Sequence, residues 1–175
     1  MTLVEFNVIL NLINLFDLSK NDFTIFGSGP IYPFKLKLLF RDADIVVTNK
    51  GWNNILKHKN KYSFLNCKQI SRDGLSLFNG RIEVFKEWRP GGIRSYLLWN
   101  TKRLINTSLE YNGYKFVKLD NVLLYKMLLG RSKDKKDISK ITWYLNTQKQ
   151  NYALRRVYNK KLSITCQALF SSITK

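Results

Sequence analysis

Four residues in succession, Ile45-Val46-Val47-Thr48, are β-branched, and they follow directly on Arg41-Asp42-Ala43-Asp44. β-Branched side chains are stiff at χ1 and pack well on a pleated surface, so the run reads as a strand. Successive side chains of a strand point to opposite faces. Asp42 and Asp44 therefore share one face, where they can share a divalent metal, and Ala43 points to the packing face. Taken alone, an Asp-x-Asp at a strand entrance reads first as a solvated turn.

Upstream, Leu3, Phe6, Leu10 and Ile13 recur at helical spacing and predict an amphipathic packing helix. This stretch carries Glu5 and three asparagines and lacks a basic leader segment and a small-residue cleavage site. Phe23-Thr24-Ile25-Phe26 reads as a short buried strand ending at Gly27-Ser28-Gly29. Pro30 suits the first position of a helix expected to run to about Phe40. Asn49 is placed to cap a helix through about Lys57, and turns are expected at Asp73-Gly74 and Asn79-Gly80. Arg81 to Phe85 reads as a third strand, Trp88 to Gly92 as a loop, and residues 95–103 as a short helix. Leu104 to Val117 resembles a hairpin turning at Asn112-Gly113. Asp120 is expected to cap a helix that ends at Gly130. A second helix spans Asp134 to about Leu145 with Ile138, Ile141 and Leu145 inward. The segment from about 148 to 175 is basic and reads as a helical extension of a single domain, 1–175.

Thirty Lys and Arg stand against twelve Asp and Glu, a net charge of +18. That excess points to a polyanionic partner, although an AT-rich coding bias toward Lys, Asn and Ile would produce part of it. Cys67, Cys166 and the single histidine, His58, have no metal-ligand spacing, so a Cys/His metal site and a disulfide framework are not expected. No segment reaches the roughly 18 to 20 consecutive apolar residues that span a bilayer. A soluble, cytoplasmic protein without a membrane partner is the expectation.

Nucleotidyl transfer must neutralise a triphosphate while an acceptor hydroxyl attacks, and carboxylates holding divalent metal do this well. Gly27-Ser28, between a strand and a helix start, lets backbone amides approach a phosphate closely, with the Ser28 hydroxyl as a further donor; an ordinary strand-to-helix turn looks the same. Glu83 lies among Ile82, Val84 and Phe85, an unusual place for a carboxylate unless it faces a site or an exposed strand edge, and Glu87 competes with it. Lys126 shares a helical stripe with Leu119, Val122 and Leu123; it either meets an anion, snorkels to solvent, or pairs with an acid. Asp134 and Asp137 sit where they could cap and favour a helix start.

These motifs, in this order, resemble the minimal nucleotidyltransferase group of the polymerase-β-like superfamily, which includes antibiotic nucleotidyltransferases and nucleotidyltransferase toxins. The resemblance rests on Gly27-Ser28, on Asp42-Ala43-Asp44-Ile45-Val46-Val47, on Glu83, and on the stretch from Lys126 through Arg131, Lys133-Asp134 and Asp137-Ile138, and covers about residues 20–145. It implies an α+β fold, a mixed β-sheet backed by helices with a helical C-terminal part. It implies Mg²⁺ or Mn²⁺ held by Asp42, Asp44 and Glu83, with Glu83 aiding activation of the acceptor hydroxyl. An NTP co-substrate would be held by Gly27, Ser28, Lys126, Arg131, Lys133 and Asp137. Three acceptor readings stay open: RNA such as tRNA, with Trp88, Tyr96 or Trp99 for stacking; a protein or small molecule; or no transfer at all, in an RNA-binding module on the same fold. A cationic aminoglycoside would sit badly in a positive pocket. The toxin members bring in an antitoxin protein as a further partner.

Overall fold

In a computed structural model, which describes residues 3–61, 65–86 and 100–148, the β-branched run forms strand β4 (Ala43–Val47), the middle of a seven-stranded sheet. In chain order the other elements are β1 (Val4–Glu5), α1 (Phe6–Asn14), β2 (Phe23–Phe26), a 3₁₀ turn Gly29–Phe34, β3 (Leu39–Phe40), α2 (Asn49–Lys61), β5 (Lys68–Ser71), β6 (Gly74–Leu77) and β7 (Ile82–Phe85). After these come α3 (Thr101–Thr107), β8 (Leu109–Tyr111), β9 (Tyr114–Phe116), α4 (Leu119–Leu129), a 3₁₀ turn Ser132–Asp134 and α5 (Lys135–Thr147). The sheet order is β5-β6-β7-β4-β2-β9-β8, with β4 parallel to β7, β2 parallel to β9 and the remaining pairs antiparallel. It is a mixed sheet in an α+β fold, as expected.

Both faces of β4 are covered, which is why its sequence is apolar almost throughout. Ala43, Ile45 and Val47, with Ile25, Ile82 and Val84, pack against Phe6, Ile9, Leu10 and Ile13 of α1 and Trp52 and Ile55 of α2. On the other face Phe26 and Val46 pack with Val122, Leu123 and Tyr125 of α4 and Ile141 of α5. Ile138 and Leu145 close the edge of this second cluster, the inward stripe predicted for α5.

Several expectations are corrected. The first helix begins at Phe6, so Leu3 is 54% exposed and does not join the stripe; Val4 and Glu5 instead pair with Phe40 and Leu39. The helix expected to reach Phe40 ends at Phe34, in a 3₁₀ turn closed by left-handed Lys35 (φ 56°). Pro33 removes an amide donor there, and the alternating Lys35-Leu36-Lys37-Leu38 suits extended chain once β1 supplies a pairing partner. α2 continues past Lys57 to Lys61. Leu104 to Thr107 belong to α3, whose Asn100 cap accepts from the Arg103 amide at 2.9 Å, so the hairpin is confined to β8 and β9. It turns at Asn112 (φ 48°) and Gly113 (φ 82°), the left-handed pair such a turn requires. Lys118, not Asp120, occupies the N-cap of α4, with Asp120 in its first turn; the helix ends at left-handed Gly130, as predicted.

Among the described residues no helix is long and apolar enough to cross a membrane. Glu87, the Trp88–Gly92 loop, Tyr96, Trp99, the first residues of the 95–103 helix and all but the start of the basic C-terminal extension lie outside the described residues.

Candidate active site

The site is assembled by strand register. In the ladder that joins β2, β4 and β7, Phe26 pairs with Asp44 and Asp44 pairs with Glu83. Paired residues of neighbouring strands point to the same face, so the two carboxylates stand side by side at the end of the sheet where β4 begins. Asp42 immediately precedes β4 and adds a third. β7 is an interior strand, flanked by β6 and β4, so Glu83 is not on a sheet edge. Its carboxylate is half-buried because it faces a cavity.

Gly27 follows β2 directly and is left-handed (φ 63°). A Cβ on it would overlap Oδ2 of Asp44, so the turn passes against the carboxylate as closely as backbone can. Ser28 comes next, and its hydroxyl accepts from Lys126 Nζ at 3.0 Å and donates to Asp137 Oδ2 at 3.3 Å.

Lys126 meets acids. Its ammonium donates to Asp134 Oδ1 at 2.8 Å and to Asp137 Oδ2 at 3.0 Å as well as to Ser28, which uses all three of its protons. The side chain is 2% exposed. Asp134 sits at the N-cap position of α5 but makes no capping hydrogen bond; its second oxygen accepts from Arg131 Nε at 2.6 Å. Asp137 also faces Lys37 at 3.6 Å. The expected capping role of Asp134 is thus replaced by an ion-pair role, because the buried ammonium that α4 brings to it is a stronger donor than a backbone amide.

A cavity of about 610 Å³ brings together Gly27, Ser28, Asp42, Asp44, Glu83, Lys126, Arg131, Lys133 and Asp137. These include every residue to which the resemblance gives a metal or nucleotide role; Glu87, Trp88, Tyr96 and Trp99 lie outside the described residues. Lys37, Phe40, Arg41, Tyr125 and Asp134 line it too. Arg41 precedes Asp42 and Tyr125 precedes Lys126, an adjacency that could have pointed to both; nothing in the sequence links Lys37 or Phe40 to β4.

Burial, then Asp42, then Glu83 push the Asp44 carboxyl up to about 7, against the opposing pull of Lys126 and Arg131. Burial and Asp42 raise Glu83, which Lys133 opposes. Burial and Asp44 raise the Tyr125 phenol. Asp134 goes the other way: burial would raise it, but hydrogen bonds from Arg131 and Lys126 outweigh that and hold it below the ordinary value. Asp42, Asp44 and Glu83 are therefore crowded together, with Lys126, Arg131 and Lys133 opposing the shifts.

Among the described residues no three His, Cys, Asp or Glu side chains are drawn together closely enough to hold a metal ion. The donor chemistry nevertheless fits a hard divalent cation: three carboxylate residues, Asp42 just before β4, Asp44 on β4 and Glu83 on β7, with Asp44 and Glu83 held above the usual carboxylate range by burial and then by their acidic neighbours. Asp42, Asp44 and Glu83 are the residues that would hold it. No protein-family model, curated protein or solved structure matches this chain.

Proposed function

We propose that this chain is a metal-dependent nucleotidyltransferase on a polymerase-β-like core, moving a nucleotide from an NTP to a hydroxyl of RNA. The observation that carries the reading is the pairing of Asp44 with Glu83 across β4 and β7, against the Gly27-Ser28 turn, in one cavity with Arg131 and Lys133. A divalent ion bound by Asp42, Asp44 and Glu83 would supply charge neutralisation of the triphosphate.

The chain's own residues divide the remaining work. The Gly27-Ser28 turn brings backbone close to the phosphates, and Arg131 and Lys133 meet their charge. Lys126 holds the Ser28 hydroxyl and Asp137 in place. The acceptor oxygen attacks the α-phosphorus, the bond from that phosphorus to the β-bridging oxygen breaks, and pyrophosphate leaves. Glu83, whose carboxyl is raised, takes the proton from the acceptor hydroxyl. RNA as acceptor is supported by the +18 charge.

The test is incubation with Mg²⁺, NTPs labelled at the α-phosphate, and total RNA. Label should enter RNA, and Asp44→Ala should abolish it. Label on protein or on a small molecule would overturn RNA as the acceptor; binding of RNA without labelling, unchanged by Asp44→Ala, would overturn transfer itself.

A further inference from the structure

A second cavity, of about 620 Å³, lies at the opposite end of the same strands, where β4 leaves the sheet through Val47 and Thr48. Three lysines from three separate elements line it: Lys50 in the first turn of α2, Lys86 just after β7, and Lys102 in α3. The one carboxylate among its described lining residues, Asp22, is already engaged, accepting from Thr48 Oγ1 at 2.9 Å and facing Lys50 Nζ at 3.5 Å. Lys86 and Lys102 have no ion-pair partner among the described residues. The described lining residues therefore carry a net charge of two positive units. No acid stands in the first turn of α2 to offset the partial positive charge there.

We propose that this cavity docks the sugar-phosphate backbone of the RNA acceptor, an inference that rests on RNA being the substrate of the site at the other end of the sheet. The lining chemistry favours RNA over a protein partner. Among its described lining residues Val47 is the single apolar one and none is aromatic, whereas protein interfaces concentrate energy in buried aromatic and aliphatic groups. Lysines are flexible point charges that follow phosphates without demanding one geometry. The carboxamides of Asn49 and Asn106 add paired donors and acceptors of the kind that read 2′-hydroxyls. Asp44 and Val47 are three residues apart on β4, roughly 10 Å along the strand and on opposite faces, so one RNA seated in the basic cavity passes around the covered sheet to present a hydroxyl to the carboxylates.

The discriminating variant is Lys86→Gln/Lys102→Gln, compared with Lys57→Gln/Lys68→Gln, which removes the same charge from exposed positions elsewhere. RNA binding is followed by fluorescence anisotropy across a salt series, NTP binding separately, and transfer as KM and kcat for RNA. The cavity variant should bind RNA more weakly, with a salt slope about 1.4 units shallower, because each phosphate that a lysine neutralises on a single strand adds about 0.7 to the slope. KM for RNA should rise while kcat and NTP affinity stay unchanged, and the control variant should match wild type. Equal losses in both double variants would mean that bulk charge binds RNA and would overturn the docking site. An unchanged slope in the cavity variant, with RNA still labelled by wild type, would overturn docking and leave the transferase reading standing. Failure of wild type to label RNA, with label found elsewhere, would overturn both.

Discussion

Replacing Lys126 by Met tests how the site is held together. Met keeps the length of the side chain and removes the ammonium, so Asp134 and Asp137 lose a donor that now lies at 2.8 and 3.0 Å. Breaking a buried ion pair by removing one partner costs about 3–5 kcal/mol, because the remaining charge stays desolvated. Two features of this network pull the figure toward the lower end: Asp134 keeps Arg131 Nε at 2.6 Å, and Asp137 keeps the Ser28 hydroxyl at 3.3 Å and Lys37 at 3.6 Å. A loss of about 3 kcal/mol is expected, a large share of the roughly 5–15 kcal/mol that stabilises a domain of ordinary size. The assay is urea unfolding at neutral pH, comparing midpoints at equal m-values. A second variant, Lys126→Met with Asp134→Asn and Asp137→Asn, removes the stranded charges and should recover more than half of the loss. A single-variant cost below about 1 kcal/mol, or no recovery in the triple variant, would refute the view that one ammonium holds both acids.

The Asp44 carboxyl, raised to about 7, gives metal-free protein an inverted pH response. The folded state retains a proton that the unfolded chain has released, so stability should fall as pH rises from about 4 to about 7, and Asp44→Asn should remove that slope; parallel pH profiles for the two proteins in chelator would count against it. Gly27→Ala should cost at least about 1–2 kcal/mol from the left-handed backbone alone and, under the proposed transferase activity, should by displacing Asp44 Oδ2 lower kcat as well, checked by unfolding and single-turnover transfer together. Asn100→Ala removes the cap on the Arg103 amide and should destabilise by about 1 kcal/mol without altering NTP binding, measurable by urea unfolding and NTP titration.

The central strands were legible because their chemistry is local. Phe23–Phe26, Ala43–Val47 and Ile82–Phe85 announce themselves by β-branched and aromatic residues between turn signals, and Gly130 by the left-handed cap it adopts. Where pairing from far along the chain decides, local pattern failed. Leu39-Phe40 is a strand only because Val4-Glu5 lies beside it; Leu104 to Thr107, by contrast, are helical through a local signal, the Asn100 cap. The candidate site shows the same division. Asp42, Asp44 and Glu83 could be picked out as carboxylates at or just before strand positions. That Asp134 would serve Lys126 and Arg131 rather than cap α5 depends on where α4 places its buried ammonium, a tertiary fact. Lys37 and Phe40 reach the cavity by way of a ribbon the sequence presents as helix.

The overlap between the missing Cβ of Gly27 and the oxygen of Asp44 has a consequence for descent as well as for chemistry. The two positions, remote in sequence, form a lock in which neither can change freely while the other is kept. A lineage that retains Asp44 is confined at position 27 to glycine. One that loses the carboxylate is released from the steric half of that restriction, and residues tolerant of left-handed backbone, Asn above all, become admissible there. Relatives of this chain should therefore lose the pair together, and a side chain at position 27 marks a protein in which the carboxylate at position 44 no longer stands against this turn.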